Sequence, residues 1–126
     1  MNDSYLAGFI DGEGHISIRL RRRIRKGRLG KPNYDIQVQI SQKTIEPLKS
    51  IQTMYGGALD LRPRANNRTA WVLVWCSHAD VMRILNAIEP FVICKRRATL
   101  EAMAILKTLI ASPSKYSHVH APLAKP

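Results

Sequence analysis

The sequence predicts an α+β fold: one four-stranded, mostly antiparallel sheet with helices packed on one face, plus a C-terminal helix. Three observations predict it. Four stretches alternate apolar and polar residues with period two, as half-buried strands do, and they fall into two hairpins. Segments with apolar residues at helical spacing lie before, between and after the hairpins. Glycine, proline and asparagine punctuate the joins.

The first helix runs from a cap at Asp3 or Ser4 through Tyr5, Leu6, Ala7, Gly8, Phe9 and Ile10 to about Asp11, with Gly12 and Gly14 stopping it. From His15 the period becomes two. Ile16, Ile18 and Leu20 face inward, while His15, Ser17, Arg19, Arg21 and Arg23 form a polar, cationic face. KGRLGKPN breaks the pattern, and Ile36, Val38 and Ile40 then alternate with Asp35, Gln37, Gln39 and Ser41. Thr44 is the expected cap of a second helix, with Pro47 in its first turn and Leu48, Ile51, Met54 and Tyr55 as its stripe until Gly56 and Gly57 end it. A second hairpin follows: Ala58 to Arg64, a turn at ANNR, and the strong β run TAWVLVWC from Thr69 to Cys76. Ser77 with Asp80 reads as a capping box for a helix carrying Val81, Ile84, Leu85 and Ile88 up to Pro90. A last helix spans about Lys95 to Ala111 with Leu100, Met103, Ala104 and Ile110 as its apolar residues. Residues 1–111 thus form one domain, and 112–126 read as a loose, flexible tail.

Charge narrows the function. Lys and Arg number 20 against 9 Asp and Glu, a net +11, which points to a polyanionic partner. No apolar run approaches the roughly 20 residues of a membrane span, so nucleic acid is favoured over membrane and a soluble, intracellular protein is expected. Cys76 and Cys94, without CxxC spacing, read as reduced thiols. Eight of the 13 residues from Arg19 to Lys31 are Lys or Arg, and six of those eight are Arg. Guanidinium forks suit phosphate and the guanine edge, glutamines suit the adenine edge, and a two-stranded ribbon fits a major groove. The free face should therefore meet nucleic acid through Ser17, Arg19, Arg21, Arg23, Arg25, Arg28, Asp35, Gln37, Gln39, Arg62, Arg64 and Arg68. The plain alternative is a merely solvated strand face, disfavoured by the scarcity of neutralising acids. RNA is the competing nucleic acid, but no aromatic stacking motif of single-strand RNA binders is present, which favours duplex DNA.

LAGFIDGEG, Leu6 to Gly14, closely resembles the signature of the LAGLIDADG homing endonucleases. Leu6, Ala7, Gly8, Ile10, Asp11 and Gly14 are identical, Phe9 and Glu13 are conservative, and Gly12 replaces Ala. The resemblance extends over about residues 4 to 110, and the family's αββαββα order is the order read above. It implies DNA on the sheet face opposite the helices. It also implies that two motif helices pack together and deliver their second acid, here Glu13, to a shared site. Ala7, Gly8 and Gly12 are small enough for close helix approach, and the implied dimer contact comprises Leu6, Ala7, Gly8, Asp11 and Gly12. Leu6, Phe9 and Ile10 can also serve the subunit's own core. Two carboxylates brought together call for a divalent cation, expected to be Mg²⁺, held by Glu13 and by the backbone carbonyl of Gly12.

The resemblance further implies a water-positioning glutamine, Gln42 in SQKT, and a lysine near the scissile phosphate, Lys95 in EPFVICKRR. There Lys95 could polarise the attacking water or offset transition-state charge, with phosphate anchoring alone as the alternative role. A basic residue that some relatives carry shortly after the glutamine is Glu46 here, which rearranges the outer part of the site. One motif copy implies a homodimer acting on a long, roughly palindromic duplex, cutting one phosphodiester per strand across the minor groove to leave short 3′ overhangs. The alternatives are a non-cleaving DNA-binding regulator, an intron RNA maturase on the same fold, or a basic structural protein. His118 and His120 lie in the tail without a third ligand and read as incidental.

Overall fold

The computed structural model describes residues 2–111, with the side chains of 22–25, 29–32 and 67 left aside. The tail at 112–126, with His118 and His120, lies outside the described residues. Among those described, the order is α1 (Asp3–Glu13), β1 (Gly14–Arg25), β2 (Arg28–Gln42), α2 (Glu46–Tyr55), β3 (Ala58–Pro63), β4 (Thr69–Trp75), α3 (His78–Ile88) and α4 (Arg96–Ala111), with a short 3-10 turn at Ala65–Asn67. The strands form one antiparallel sheet in the order β1-β2-β4-β3.

Helix α1 is capped one residue earlier than Asp3 or Ser4. The Asn2 side chain accepts the Tyr5 N–H at 3.0 Å and the Ser4 hydroxyl at 2.7 Å. Nor does Gly12 stop the helix, which runs on through Glu13 to Gly14, whose N–H closes on the Ile10 carbonyl. A Cβ at Gly14 would stand 2.8 Å from both Cα and O of Ile10. Only a glycine lets the chain turn from helix to strand against the helix's own last turn.

The β1–β2 turn is tighter than the breakers in KGRLGKPN suggest. Lys26 and Gly27 both take positive φ, 51° and 75°, giving a two-residue turn that matches the twist of its strands. Gly30 and Pro32 fall inside β2, and the register shifts between Arg22 and Ile24, opposite Pro32, where a missing N–H can be tolerated. Helix α2 begins at Glu46, with Ile45 rather than Thr44 as its cap residue and no side-chain capping bond. Strand β3 stops at Pro63, so Arg64 lies beyond it. Helix α3 starts as the Ser77–Asp80 spacing predicts, the Ser77 hydroxyl accepting the Asp80 N–H at 3.1 Å.

The core lies between the helices and the inward face of the sheet. Leu6, Ala7 and Ile10 of α1 pack with Ile36, Val38 and Ile40 of β2, Leu73 and Trp75 of β4, and Val81, Ile84, Leu85 and Ile88 of α3. Helix α4 contributes Thr99, Ala102, Met103 and Leu106, so the expected stripe is rotated: Leu100, Ala104 and Ile110 face outward, as does Met54 of α2. Two polar bonds tie α2 to the sheet and to α1. Trp75 Nε1 donates to the Tyr55 carbonyl at 3.1 Å, and Tyr55 Oη donates to Asp3 Oδ1 at 2.6 Å. Partial burial of the Tyr55 phenol, together with the hydrogen bond to Asp3 and its charge, pushes its pKa up to about 12.

Candidate nucleic-acid interface and catalytic hollow

Strand alternation brings the polar side chains of β1 and β2 onto the face away from the helices. The register sets His15 opposite Gln39, Ser17 opposite Gln37 and Arg19 opposite Asp35. These six, with Arg21 and Arg62, line a trough of about 350 Å³. Ser17, Arg19, Arg21, Asp35, Gln37, Gln39 and Arg62 are thus together as expected, and His15 joins them on the same alternation. Arg21 pairs with Asp35 at 3.1 Å, and the two side chains are 61% and 27% exposed. Such a pair is weak in water, so Arg21 can be drawn away by a better anion. Arg62 reaches Asp60 at 3.5 Å.

The outer face is not wholly polar. Val72 and Val74 of β4 point there, next to Ser41 and Gln39, and both are buried. Arg64 also reaches across this face. From beyond β3 it donates to Ser41 Oγ on β2 at 2.9 Å, so its side chain must cross over β4. Arg64 and Arg68 lie outside the trough, Arg68 exposed beside the 3-10 turn and Arg28 exposed at the far end of the hairpin. The side chains of Arg23 and Arg25 lie outside those described.

A second hollow, of about 480 Å³, opens where α1 ends and β2 runs out, lined by Glu13, Ser41, Gln42, Lys43, Thr44 and Ala70. Glu13 and Gln42 therefore meet across 29 residues of sequence, because the turn at Gly14 sends β1 back along β2 and aligns Gly14 with Ile40. Ser41, Lys43 and Thr44 were legible only as neighbours of Gln42 in SQKT. Glu13 is exposed, with its carboxylate available. The oxygens of Glu13, Gln42, Ser41 and Thr44 are hard donors of the kind that suits Mg²⁺ or Ca²⁺. Among the residues lining the hollow Glu13 carries the one carboxylate, and among the described residues no three His, Cys, Asp or Glu side chains come together.

Lys95 is not in that hollow. It is half-buried at the start of α4, its Nζ donating to the Asp11 carbonyl at 3.1 Å. Asp11 in turn accepts the backbone N–H groups of Ile93 and Lys95. The motif helix has two clear sides. The Leu6 and Ala7 side chains are fully buried in the chain's own core. Asp11 is likewise occupied within the chain. Gly8 and Gly12 are exposed, and a Cβ at either would meet nothing within 4 Å. They remain as the small, open positions of the helix, beside an exposed Tyr5 that packs on Phe9 with ring centroids 6.0 Å apart.

Among the described residues no helix is long and apolar enough to cross a membrane. The family model for LAGLIDADG endonuclease matches residues 6–99. No curated protein sequence is a match. Among solved structures, an archaeal intron-encoded homing endonuclease complexed with DNA superposes with TM-score 0.70 at 25% identity, covering 95% of this chain and 73% of its own. The homing endonuclease I-CvuI, bound to a DNA target in the presence of Mg with the DNA uncleaved, gives TM-score 0.68 at 22% identity over 86% of this chain and 67% of its own. The LAGLIDADG meganuclease I-CpaMI bound to uncleaved DNA gives TM-score 0.70 at 21% identity, with 88% of this chain covering 37% of that longer one. The fold, the motif and the family match agree: this chain belongs to the LAGLIDADG endonuclease family.

Proposed function

We propose that the protein is a site-specific homing endonuclease that acts as a homodimer on a long, roughly palindromic DNA duplex and hydrolyses one phosphodiester in each strand. The observation that carries this reading is the meeting of Glu13 and Gln42 in one hollow beside the polar face of the sheet, in a chain with a single copy of the motif. One carboxylate is a poor divalent-cation site. Two chains joined through Gly8 and Gly12 would bring both Glu13 residues to a common axis, and a divalent ion held there supplies positive charge against the scissile phosphate.

The chain's own residues divide the remaining work. Gln42 offers a carbonyl and an amide to orient the attacking water. Lys95, at the end of the motif helix, offers an ammonium to phosphate charge that grows during cleavage. The trough holds the duplex, with Arg19, Arg21 and Arg62 facing phosphate or guanine and Gln37 and Gln39 facing adenine. Mg²⁺ is the proposed ion, and two of the I-CvuI structures were determined with Mg or Ca present.

The test incubates the protein with a randomised duplex library in Mg²⁺ and in Ca²⁺, then sequences cut ends and bound fragments. Discrete cutting in Mg²⁺ at a near-palindromic site supports the reading. Binding without cutting would instead favour a non-cleaving regulator, and preference for intron RNA a maturase.

A further inference from the structure

Asp11, the first acid of the motif, faces neither the hollow nor the open side of its helix. Its carboxylate receives two backbone hydrogens from the segment joining α3 to α4: Ile93 N–H to Oδ2 at 2.7 Å and Lys95 N–H to Oδ1 at 2.9 Å. Lys95 answers through its side chain, Nζ donating to the Asp11 carbonyl at 3.1 Å. The exchange has a physical cause at each end. Helix α1 closes at Glu13, so the Asp11 carbonyl is among the last four, which lack partners inside their own helix, and an ammonium suits that negative end. Helix α4 opens at Arg96 with Lys95 just before it, the Lys95 carbonyl already accepting the Thr99 N–H at 2.9 Å, and a carboxylate suits that positive end. Each helix satisfies the other's terminus across 84 residues of sequence.

We propose that Asp11 is a positioning residue for Lys95. With both carboxylate oxygens bonded, it fixes the Lys95 backbone against the last turn of α1, the turn from which Glu13 reaches into the hollow. The Lys95 ammonium is thereby held at the end of the motif helix, with one of its three hydrogens on the Asp11 carbonyl and the others able to meet a phosphate oxygen. This rests on the proposed role of Lys95 in DNA cleavage.

The experiment is a double-mutant cycle of Asp11→Asn and Lys95→Met, read by single-turnover cleavage of the selected duplex and, in Ca²⁺, by its binding. Asn keeps the shape but turns an amide hydrogen toward a backbone N–H. The expected result is a cleavage rate about tenfold lower for Asp11→Asn with affinity unchanged within about twofold, and no further loss when it is added to Lys95→Met. Losses that add, or an Asp11→Asn protein that cuts at the parental rate, overturn the inference while leaving the endonuclease reading intact. A Lys95→Met protein that cuts normally removes the role being positioned and overturns it too, and a parental protein that binds but never cuts takes down both. Should Asp11→Asn not fold, amide exchange in the parental protein decides: Ile93 and Lys95 N–H groups as slow as those of α3 support the clamp, and fast exchange overturns it.

Discussion

Glu13, the last residue of α1, and Gln42, the last of β2, line the same hollow because Gly14 lets the chain reverse directly against Ile10. That closeness makes their roles separable by experiment. Glu13→Gln should cut the cleavage rate by about a hundredfold or more, since it removes the carboxylate charge while preserving shape. Gln42→Ala should cost less, on the order of tenfold, because water can still enter unaided. Gel-shift affinity in Ca²⁺ should hold for Gln42→Ala, and cleavage that survives Glu13→Gln would move the reaction elsewhere.

Gly8 and Gly12 should show opposite effects on the protomer and on the dimer. Neither position is crowded within one chain, and glycine costs a helix about 0.5–1 kcal/mol relative to alanine. Gly8→Ala and Gly12→Ala should therefore raise the urea midpoint of the protomer at low concentration. The same substitutions should weaken self-association in sedimentation, by about tenfold or more, if two helices meet there. A midpoint that rises with no change in association would place the contact on another surface.

Gly57 carries a different constraint. Its φ is +99°, and a Cβ would stand 2.9 Å from Trp75 Nε1 and 3.0 Å from Leu73 Cδ1. Gly57→Ala should destabilise the fold by about 1–3 kcal/mol, measurable by urea or thermal denaturation. The Trp75 indole bond to Tyr55 should loosen with it, shifting the tryptophan emission.

Alkaline pH should expose the Tyr55 contact. A phenol whose folded pKa is about 12, against 10.0 ordinarily, binds its proton more tightly when folded. Its contribution is complete below pH 10 and is lost as pH rises from about 10 toward 12, since there the unfolded chain has given up the proton that the folded chain still holds. Melting temperature should fall less steeply across that window in Tyr55→Phe than in the parental protein. Equal slopes would mean that neither burial nor Asp3 holds the Tyr55 proton in solution.

Much of this was written locally. Period-two alternation sets His15, Ser17, Arg19 and Arg21 on one face and Ile36, Val38 and Ile40 on the other, and Ser77 with Asp80 names its own helix start. What stayed hidden has physical reasons. Helix α1 is apolar nearly all round, so Leu6 and Ile10 were legible as core, but composition could not say that Ala7 joins them while Gly8 and Gly12 face out. The α4 stripe is ambiguous in sequence because Leu100 and Ile110 are as apolar as Met103 and Leu106, and only packing selects between faces. TAWVLVWC is apolar on both faces, and nothing local hints that Arg64 crosses it to reach Ser41. The Asp11 bonds to Ile93 and Lys95 link sequence ends that no local pattern connects.

The β1–β2 hairpin is longer than the sheet it belongs to. Strand β4 pairs with β2 only from Val38 to Gln42, while β1 and β2 stay paired out to Arg25 and Arg28. The stretch beyond is a two-stranded arm of about ten residues a side, roughly 30 Å long, or about nine base-pair steps of a duplex. In the proposed complex with duplex DNA, such an arm is a ruler. Removing two paired residues from each strand should shorten the protected DNA by about two base pairs at each end of the site, without touching the cut.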